Sequence, residues 1–287
     1  MQKIFFIFLM MATLLAIAGK EASAQHPLGE GQLLIGNGYF APANKSGDGT
    51  YRYLETRWLP IKNQTDNAKF GLYLSGIEVG SKISGFKHHS TEIGLGLAAN
   101  FSLQPGYQTD RYAWLNLAYK VINSTGSLTK TDGRYENRQE DQMLFLGGGL
   151  LFRNILFEGP FAQQKIMLES QFSIKSEENS RWNGDTLAGL PWSRERVKLQ
   201  AENGITPLYL GWSRNVYLMP SILAAYTYEK GSQTSFYTIG LSLTLAKGQY
   251  GYEILTLSYE PKFSAKGPRM DVFQVNLNII NIFRKTY

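Results

Sequence analysis

Apolar and polar residues alternate without a break from Thr91 to Leu103, and the same pattern recurs along the chain. Every second residue from Ile93 onward is apolar, and the residues between are polar or small. Because successive side chains of a strand point to opposite faces, this stretch predicts a strand with one apolar face. A helix would need apolar residues three and four positions apart, which strict alternation does not supply.

The predicted strand is long for a globular protein, in which strands have a mode of about 5–6 residues. It reaches the roughly 9–11 residues with which a tilted strand crosses a bilayer. A soluble β-sandwich would also alternate, but with shorter strands and polar outward faces. The pattern therefore predicts an all-β fold, a transmembrane antiparallel up-and-down β-barrel.

Alternating segments of this kind continue to the end of the chain and indicate about twelve strands. Bacterial single-chain barrels use an even number of strands, so ten and fourteen are the alternatives if one hairpin is miscounted. The predicted strands are 32–40, 51–61, 69–79, 91–103, 112–121, 141–152, 164–175, 194–209, 215–228, 235–245, 252–262 and 271–283.

The first residues are typical of a secretory signal peptide. Lys3 supplies a positive charge, residues 4–18 are an apolar run, and Ala22-Ser23-Ala24 forms a small-residue cleavage site. The run is shorter than the roughly 20 residues that a membrane-spanning helix needs. The predicted organisation is a signal peptide over 1–24 and a β-barrel over 25–287.

Two long polar stretches, from Ile122 to Gln139 and from Ser176 to Ser193, are predicted to be loops. Both follow odd-numbered strands, whereas the short turns at 104–109 and 211–214 follow even-numbered ones. With the N-terminus in the periplasm, this matches long extracellular loops and short periplasmic turns. The two long loops are the expected contact surface for a protein partner.

The chain ends in FQVNLNIINIFRKTY, in which alternating residues lead to a terminal aromatic residue, Tyr287. This segment resembles the closing strand of bacterial outer-membrane β-barrel proteins, although Arg284 and Lys285 interrupt the alternation. The resemblance is one of architecture and identifies no specific family. It implies insertion by the barrel-insertion machinery into the outer membrane of a Gram-negative bacterium, in contact with membrane lipids and lipopolysaccharide.

Composition excludes several classes of function. The chain has no cysteine, which rules out disulfides and thiolate metal or redox sites. Its net charge of +6 is modest, and no clustered basic stretch indicates nucleic-acid binding. His88 and His89 lack further ligands nearby in the sequence, so we predict no metal site and no cofactor.

The lumen is the main candidate for function. Alternation predicts that charged residues of both signs face it, and such mixed charge tunes which solutes pass through a pore. Inward glycines such as Gly147 and Gly149 would widen the lumen or admit large neighbouring side chains. The predicted lumen-lining residues are Arg57, Lys69, Lys120, Lys165, Glu169, Lys175, Arg196, Lys198, Glu202 and Glu260.

Barrel size leaves two functions open. Barrels of about eight strands are filled by side chains, whereas those of about 16–18 enclose an aqueous channel. A barrel of about twelve strands lies between, which is compatible with a narrow porin-like channel for small polar solutes. The alternative is a non-conducting structural or interaction barrel that binds a partner or a surface polymer through its extracellular loops.

A third alternative is a lipid- or lipopolysaccharide-modifying enzyme. His88, Ser90 and Glu92 share one strand face, and a Ser–His pair with an acidic residue is the layout of acyl transfer. The motif is similar to the H-x-S arrangement of outer-membrane phospholipases in spacing only. Parity places it on the lumen side, whereas a lipid-cleaving site should face the membrane, so we predict that the protein is not an enzyme.

Overall fold

The structure is a computed structural model that describes residues 31–43, 47–63, 67–83, 85–103, 111–130, 133–153, 163–180, 195–204, 208–210, 216–230, 234–247, 252–264 and 269–283. The predicted signal peptide and Tyr287 lie outside these residues. Within them, no helix is long and apolar enough to cross a membrane.

The described part of the chain is almost entirely β-structure. Its elements in chain order are β1 Gly31–Pro42, β2 Gly47–Lys62, β3 Ala68–Ile83, β4 Phe86–Ser102, β5 Arg111–Lys130, β6 Gly133–Arg153, β7 Gln163–Ser180, β8 Arg196–Gly204, β9 Leu208–Tyr209, β10 Val216–Glu229, β11 Thr234–Lys247, β12 Tyr252–Tyr259, β13 Lys262–Ser264, β14 Met270–Asn278 and the short helix α1 Ile279–Phe283.

The strands form one closed antiparallel sheet. Strands that are consecutive in the chain pair with each other, except β8 with β9 and β12 with β13, and β14 pairs with β1, from Leu34 opposite Asn278 to Pro42 opposite Met270. β8 and β9 lie in line along β10, and β12 and β13 lie in line along β11. Each couple therefore forms one interrupted strand of the barrel wall, and we call each such wall strand a stave. Of the fourteen described strand segments, two couples therefore merge and leave twelve staves, which confirms the predicted barrel.

The apolar faces of the strands point away from the barrel interior. On β4, Ile93, Leu95 and Leu97 are 46, 58 and 62% exposed. Glu92, which points to the opposite face of the same strand, is 2% exposed. The same holds on the facing strand, where Leu117 is outward and exposed while Lys120 is inward and buried. A soluble sandwich would bury its apolar rows against each other, so this arrangement is that of a lipid-facing surface.

The pattern ends one predicted strand at residue 79 and begins the next at 91, which implies a loop between them, and that loop is wrong. β3 continues to Ile83 and β4 begins at Phe86, and these two residues are directly paired. Gly85 turns the chain with a φ of 81°, a conformation that glycine adopts without a steric penalty. His88, Ser90 and Glu92 consequently lie within a strand.

The first of the two long polar stretches is also largely strand, and the second begins as strand. β5 runs on to Lys130, which pairs with Gly133 at the start of β6, so most of the predicted loop from Ile122 to Gln139 is a hairpin. Ser176–Ser180 belong to β7, and residues 181–194 lie outside the described part. A polar stretch in this chain therefore does not by itself indicate a loop.

The C-terminal segment also differs from its prediction as a strand to residue 283. β14 ends at Asn278, whose side-chain oxygen accepts a hydrogen bond from the backbone N–H of Asn281 at 3.3 Å and caps α1. Ile279 and Ile280 pack against Leu33 and Leu54, which are outward by alternation yet buried. The consecutive isoleucines break the alternation, so a helix that packs on this apolar spot buries them better.

Candidate functional site

The lumen brings the predicted charged residues together. Nine of the ten point inward, as their strand parity and their burial or ion-pair partners indicate. Glu260 follows β12 and accepts a hydrogen bond from Ser258 Oγ at 3.1 Å. The nine are Arg57, Lys69, Lys120, Lys165, Glu169, Arg196, Lys198, Glu202 and Glu260.

Lys175 is the exception, because a β-bulge changes its face. Ser173 pairs with Met143, but the next pair along the ladder joins Lys175 to Gln142, which leaves Ile174 as an extra residue. Met143 is inward and Gln142 is outward on the next strand, so Lys175 shares the outward face of Gln142 and is exposed. Alternation counted along the sequence cannot detect such an inserted residue.

Side chains that cross the seam of the barrel, where β14 pairs with β1, fill one side of the interior. Tyr51 OH donates a hydrogen bond to Gln274 Oε1 at 2.9 Å, and Gln274 Nε2 donates to Tyr53 OH at 2.8 Å. Tyr53 OH also bonds to Asn276 Oδ1. Both tyrosines are on β2 and both amides are on β14, so the rings pass over β1, which lies between them.

Glycines on β1 make this crossing feasible. A Cβ at Gly36 would overlap the Tyr53 ring, and one at Gly38 would overlap the Tyr51 ring. The same principle applies on β6, where a Cβ at Gly149 would meet the Trp114 ring. These inward glycines therefore admit large neighbouring side chains, one of the two roles predicted for them.

The end of the lumen farthest from the termini contains an apolar cluster on this same side. Its members come from β1, β2, β3 and β14 and are at most 6% exposed. They are Phe40, Tyr51, Val79, Ile83, Met270 and Val272. The lumen is thus packed along the wall that closes the barrel.

Packing continues halfway along the wall formed by β3 to β6. The rings of Tyr73 and Phe145 stack with centroids 6.0 Å apart, and Lys120 Nζ lies 3.9 Å from the Phe145 centroid. Lys120 also forms a 2.5 Å ion pair with Glu92, with both side chains nearly inaccessible to water. This charged pair is therefore part of a filled wall.

Part of the opposite side of the lumen, on β7 and β8, is charged and partly accessible. Glu169 on β7 is within electrostatic reach of Lys198 on β8, Lys120 on β5 and Lys262 on β13, so it projects between separate walls of the barrel. Its carboxylate lies 3.9 Å from Arg196 Nη2, yet 35% of its side chain remains accessible. An enclosed side chain with that much free surface borders a space large enough for water.

Nearer the end that carries the termini, one ion pair crosses the lumen. Lys165 Nζ on β7 contacts Glu253 Oε1 on β12 and lies 3.9 Å from Glu202 Oε2 on β8. Glu202 also accepts a hydrogen bond from Ser242 Oγ at 3.0 Å. Sequence reasoning missed Glu253, because a bulge at Ile254 pairs Glu253 with the inward Ala246 and so turns it inward.

The residues considered for hydrolysis lie on the inward face of β4, and each of the three contacts another residue. Ser90 Oγ is 3.0 Å from Ser124 Oγ and is 1% exposed. Glu92 is paired with Lys120, and the ring of His88 stacks with that of Phe86. That the protein is not an enzyme stays a prediction, with lipid hydrolysis by these residues as its alternative.

Solved outer-membrane β-barrels share this fold. The β domain of the Bordetella autotransporter BrkA is 16% identical, with a TM-score of 0.54 over 87% of this chain and 99% of that chain. The translocator domain of the autotransporter NalP from Neisseria meningitidis is 10% identical, with a TM-score of 0.54 over 95% and 94%. No family model and no curated protein matches the chain. At these identities the likeness establishes the architecture of an outer-membrane β-barrel.

Proposed function

We propose that this protein is a narrow channel in the bacterial outer membrane through which small polar solutes diffuse. The observation that carries the proposal is the free surface of Glu169 in the middle of the barrel interior. A barrel filled throughout, like the wall around Phe145, would leave such a side chain no contact with water.

The outward surface supports the location. Exposed apolar residues cover the outer faces of the staves, and exposed tyrosines such as Tyr226, Tyr228 and Tyr237 lie near the β10–β11 hairpin end. Tyrosine favours the membrane interface, where its ring is half buried and its hydroxyl stays hydrated. We place the end that carries both termini in the periplasm, since the hairpins at the other end are the taller ones.

Charge around the accessible part of the lumen indicates the class of solute. Lys165 and Arg196 alternate with Glu169, Glu202 and Glu253, so neither sign dominates the path. Such a lining attracts neither anions nor cations strongly, and it offers hydrogen bonds to neutral or zwitterionic solutes. Small sugars and amino-acid-sized zwitterions fit this description.

The test is reconstitution of the purified protein in planar lipid bilayers. Discrete current steps of one small unit size are the expected result. Glu169→Trp should reduce the unit conductance because the indole fills the accessible space, and Glu140→Trp on the outward face of β6 is the matched control. Folded protein that gives no steps would overturn the proposal.

A second function, binding of a partner at the extracellular end, is favoured by the height of β5, β6 and β7. β8 begins at Arg196, opposite Gln171, so β7 continues beyond its β8 partner from Phe172 to Ser180. This extension, paired with β6, offers a raised sheet to a protein or a surface polymer. A barrel that is folded, non-conducting and dependent on this extension for binding purified lipopolysaccharide would support the second function.

A further inference from the structure

The ion pair between Lys165 and Glu253 spans the interior of the barrel. Three staves separate β7 from the β12–β13 stave, namely β8–β9, β10 and β11. Four inter-strand spacings of about 4.8 Å give roughly 19 Å along the wall. A direct contact between the two side chains therefore cuts across the lumen.

The surroundings of this pair make it a narrow point. Glu253 is paired along the sheet with Ala246, and Ala246 with Tyr217, so the three residues form one inward row. Ala246 is 0% exposed and Tyr217 is 1% exposed, so the wall beside the ion pair is packed. Lys165 and Glu253 retain 18% and 32% accessibility, so they border the remaining open space.

The helix α1 holds the backbone from which Glu253 projects. Asn281 Nδ2 donates a 2.8 Å hydrogen bond to the carbonyl oxygen of Glu253, next to the bulge at Ile254. Lys247 Nζ donates a 2.6 Å hydrogen bond to the carbonyl oxygen of Ile282. The C-terminal helix is thus bonded to both strands of the β11–β12 hairpin.

We propose that the Lys165–Glu253 ion pair is the constriction of the channel at the periplasmic end, and that α1 sets its width by fixing Glu253. This inference rests on the proposed channel function. Two carboxylates, Glu202 and Glu253, converge on the one ammonium of Lys165, so removal of that ammonium leaves an acidic ring that favours cations.

Single-channel recording of Lys165→Met tests the constriction. The unit conductance should rise, and the reversal potential in a salt gradient should shift toward the equilibrium potential of the cation. The double charge swap Lys165→Glu with Glu253→Lys should return both values toward wild type. Unchanged conductance and selectivity in Lys165→Met, with a conducting wild type, would overturn the inference and leave the channel intact.

Asn281→Ala tests the role of α1 without a change in lumen charge. Loss of the hydrogen bond to Glu253 should add transitions between conductance levels, and the mean reversal potential should stay that of wild type. Lys230→Met is the matched control, because Lys230 pairs with Glu195 at the opposite rim and is 71% exposed. Recordings of Asn281→Ala with a single wild-type level would remove α1 from the account.

Crosslinking separates failure of this inference from failure of the channel. The chain has no cysteine, so the double variant Lys165→Cys with Glu253→Cys can be treated with a thiol crosslinker. The crosslinker should be about as long as the distance that the native Lys165 and Glu253 side chains span together. Lys165→Cys with Glu202→Cys is the positive control, since these residues are direct neighbours on adjacent strands. A crosslink in both, with a folded wild type that gives no current steps, would support the ion pair and refute the channel. A crosslink in the control alone would refute the ion pair.

Discussion

The two halves of the lumen are built from the same alternating strands, yet they are filled differently. From β14 through β1 to β6, rings and aliphatic side chains pack over glycines, as Tyr51 does over Gly38. On β7, β8 and β12, by contrast, charged inward residues such as Glu169 and Glu253 border open space, whereas the inward residues of β10 and β11 between them are mostly buried. The volume of the inward side chains, rather than the number of strands, therefore decides whether such a barrel is open.

The largest effect should follow from removal of a ring in the packed half. Phe145→Ala takes away the partner of Tyr73 and the ring beneath Lys120, and we expect a loss of about 3–5 kcal/mol of unfolding free energy. Denaturant-induced unfolding in detergent micelles measures it. Glu169→Ala in the open half is the matched control, and an equal loss there would contradict the comparison.

The buried ion pair of the packed half should come next. Glu92→Gln leaves the ammonium of Lys120 without its 2.5 Å carboxylate partner, and breaking such a pair costs about 3 kcal/mol. The same unfolding experiment on Glu253→Gln should give a smaller loss, because Glu253 borders water. A larger loss in Glu253→Gln would mean that the open half is dry.

A glycine substitution tests the seam. Gly38→Ala forces Tyr51 away from Gln274, and we expect a loss of about 1–3 kcal/mol from overpacking. Gly80→Ala is the matched control, because a Cβ at Gly80 meets nothing within 4 Å. Equal thermal unfolding midpoints for the two variants would show that the ring of Tyr51 does not need the space above Gly38.

The smallest effect concerns the rim and depends on pH. A hydrogen bond from Lys230 lowers the pKa of the Glu195 carboxyl, so the charged form stabilises the folded barrel at neutral pH. This contribution is lost as the pH falls through the lowered pKa of Glu195. Thermal midpoints of wild type and Glu195→Gln should differ slightly at pH 7 and coincide in acid, and a difference that grows in acid would contradict this assignment.

Periodicity predicted the fold, because each outward row must be apolar from one membrane interface to the other. It predicted the inward face of residues such as Lys120 and Glu169 for the same reason. It did not predict the face of Lys175 or Glu253, since a bulge inserts one residue without a signal in the pattern. It also missed the length of the β5–β6 hairpin, because a stretch with polar residues at both odd and even positions shows no alternation.

The helix α1 marks another limit of pattern reasoning. The consecutive Ile279 and Ile280 already violate alternation, and Asn278 is a favourable helix cap. These signals are local and weak beside the tendency of a closing strand to continue. The apolar spot formed by Leu33 and Leu54, which the helix covers, exists only once β1 and β2 are paired.

Accessibility of the lumen to a water-soluble thiol reagent distinguishes a lumen that is open beside β7 from one that is filled throughout. The reagent is added to single channels of Glu169→Cys and of Ala118→Cys, two inward positions in the open and the packed half. We expect a stepwise fall in current for Glu169→Cys and no change for Ala118→Cys, whose native side chain is 1% exposed. Currents that do not respond in Glu169→Cys, or that fall equally in both variants, would contradict it.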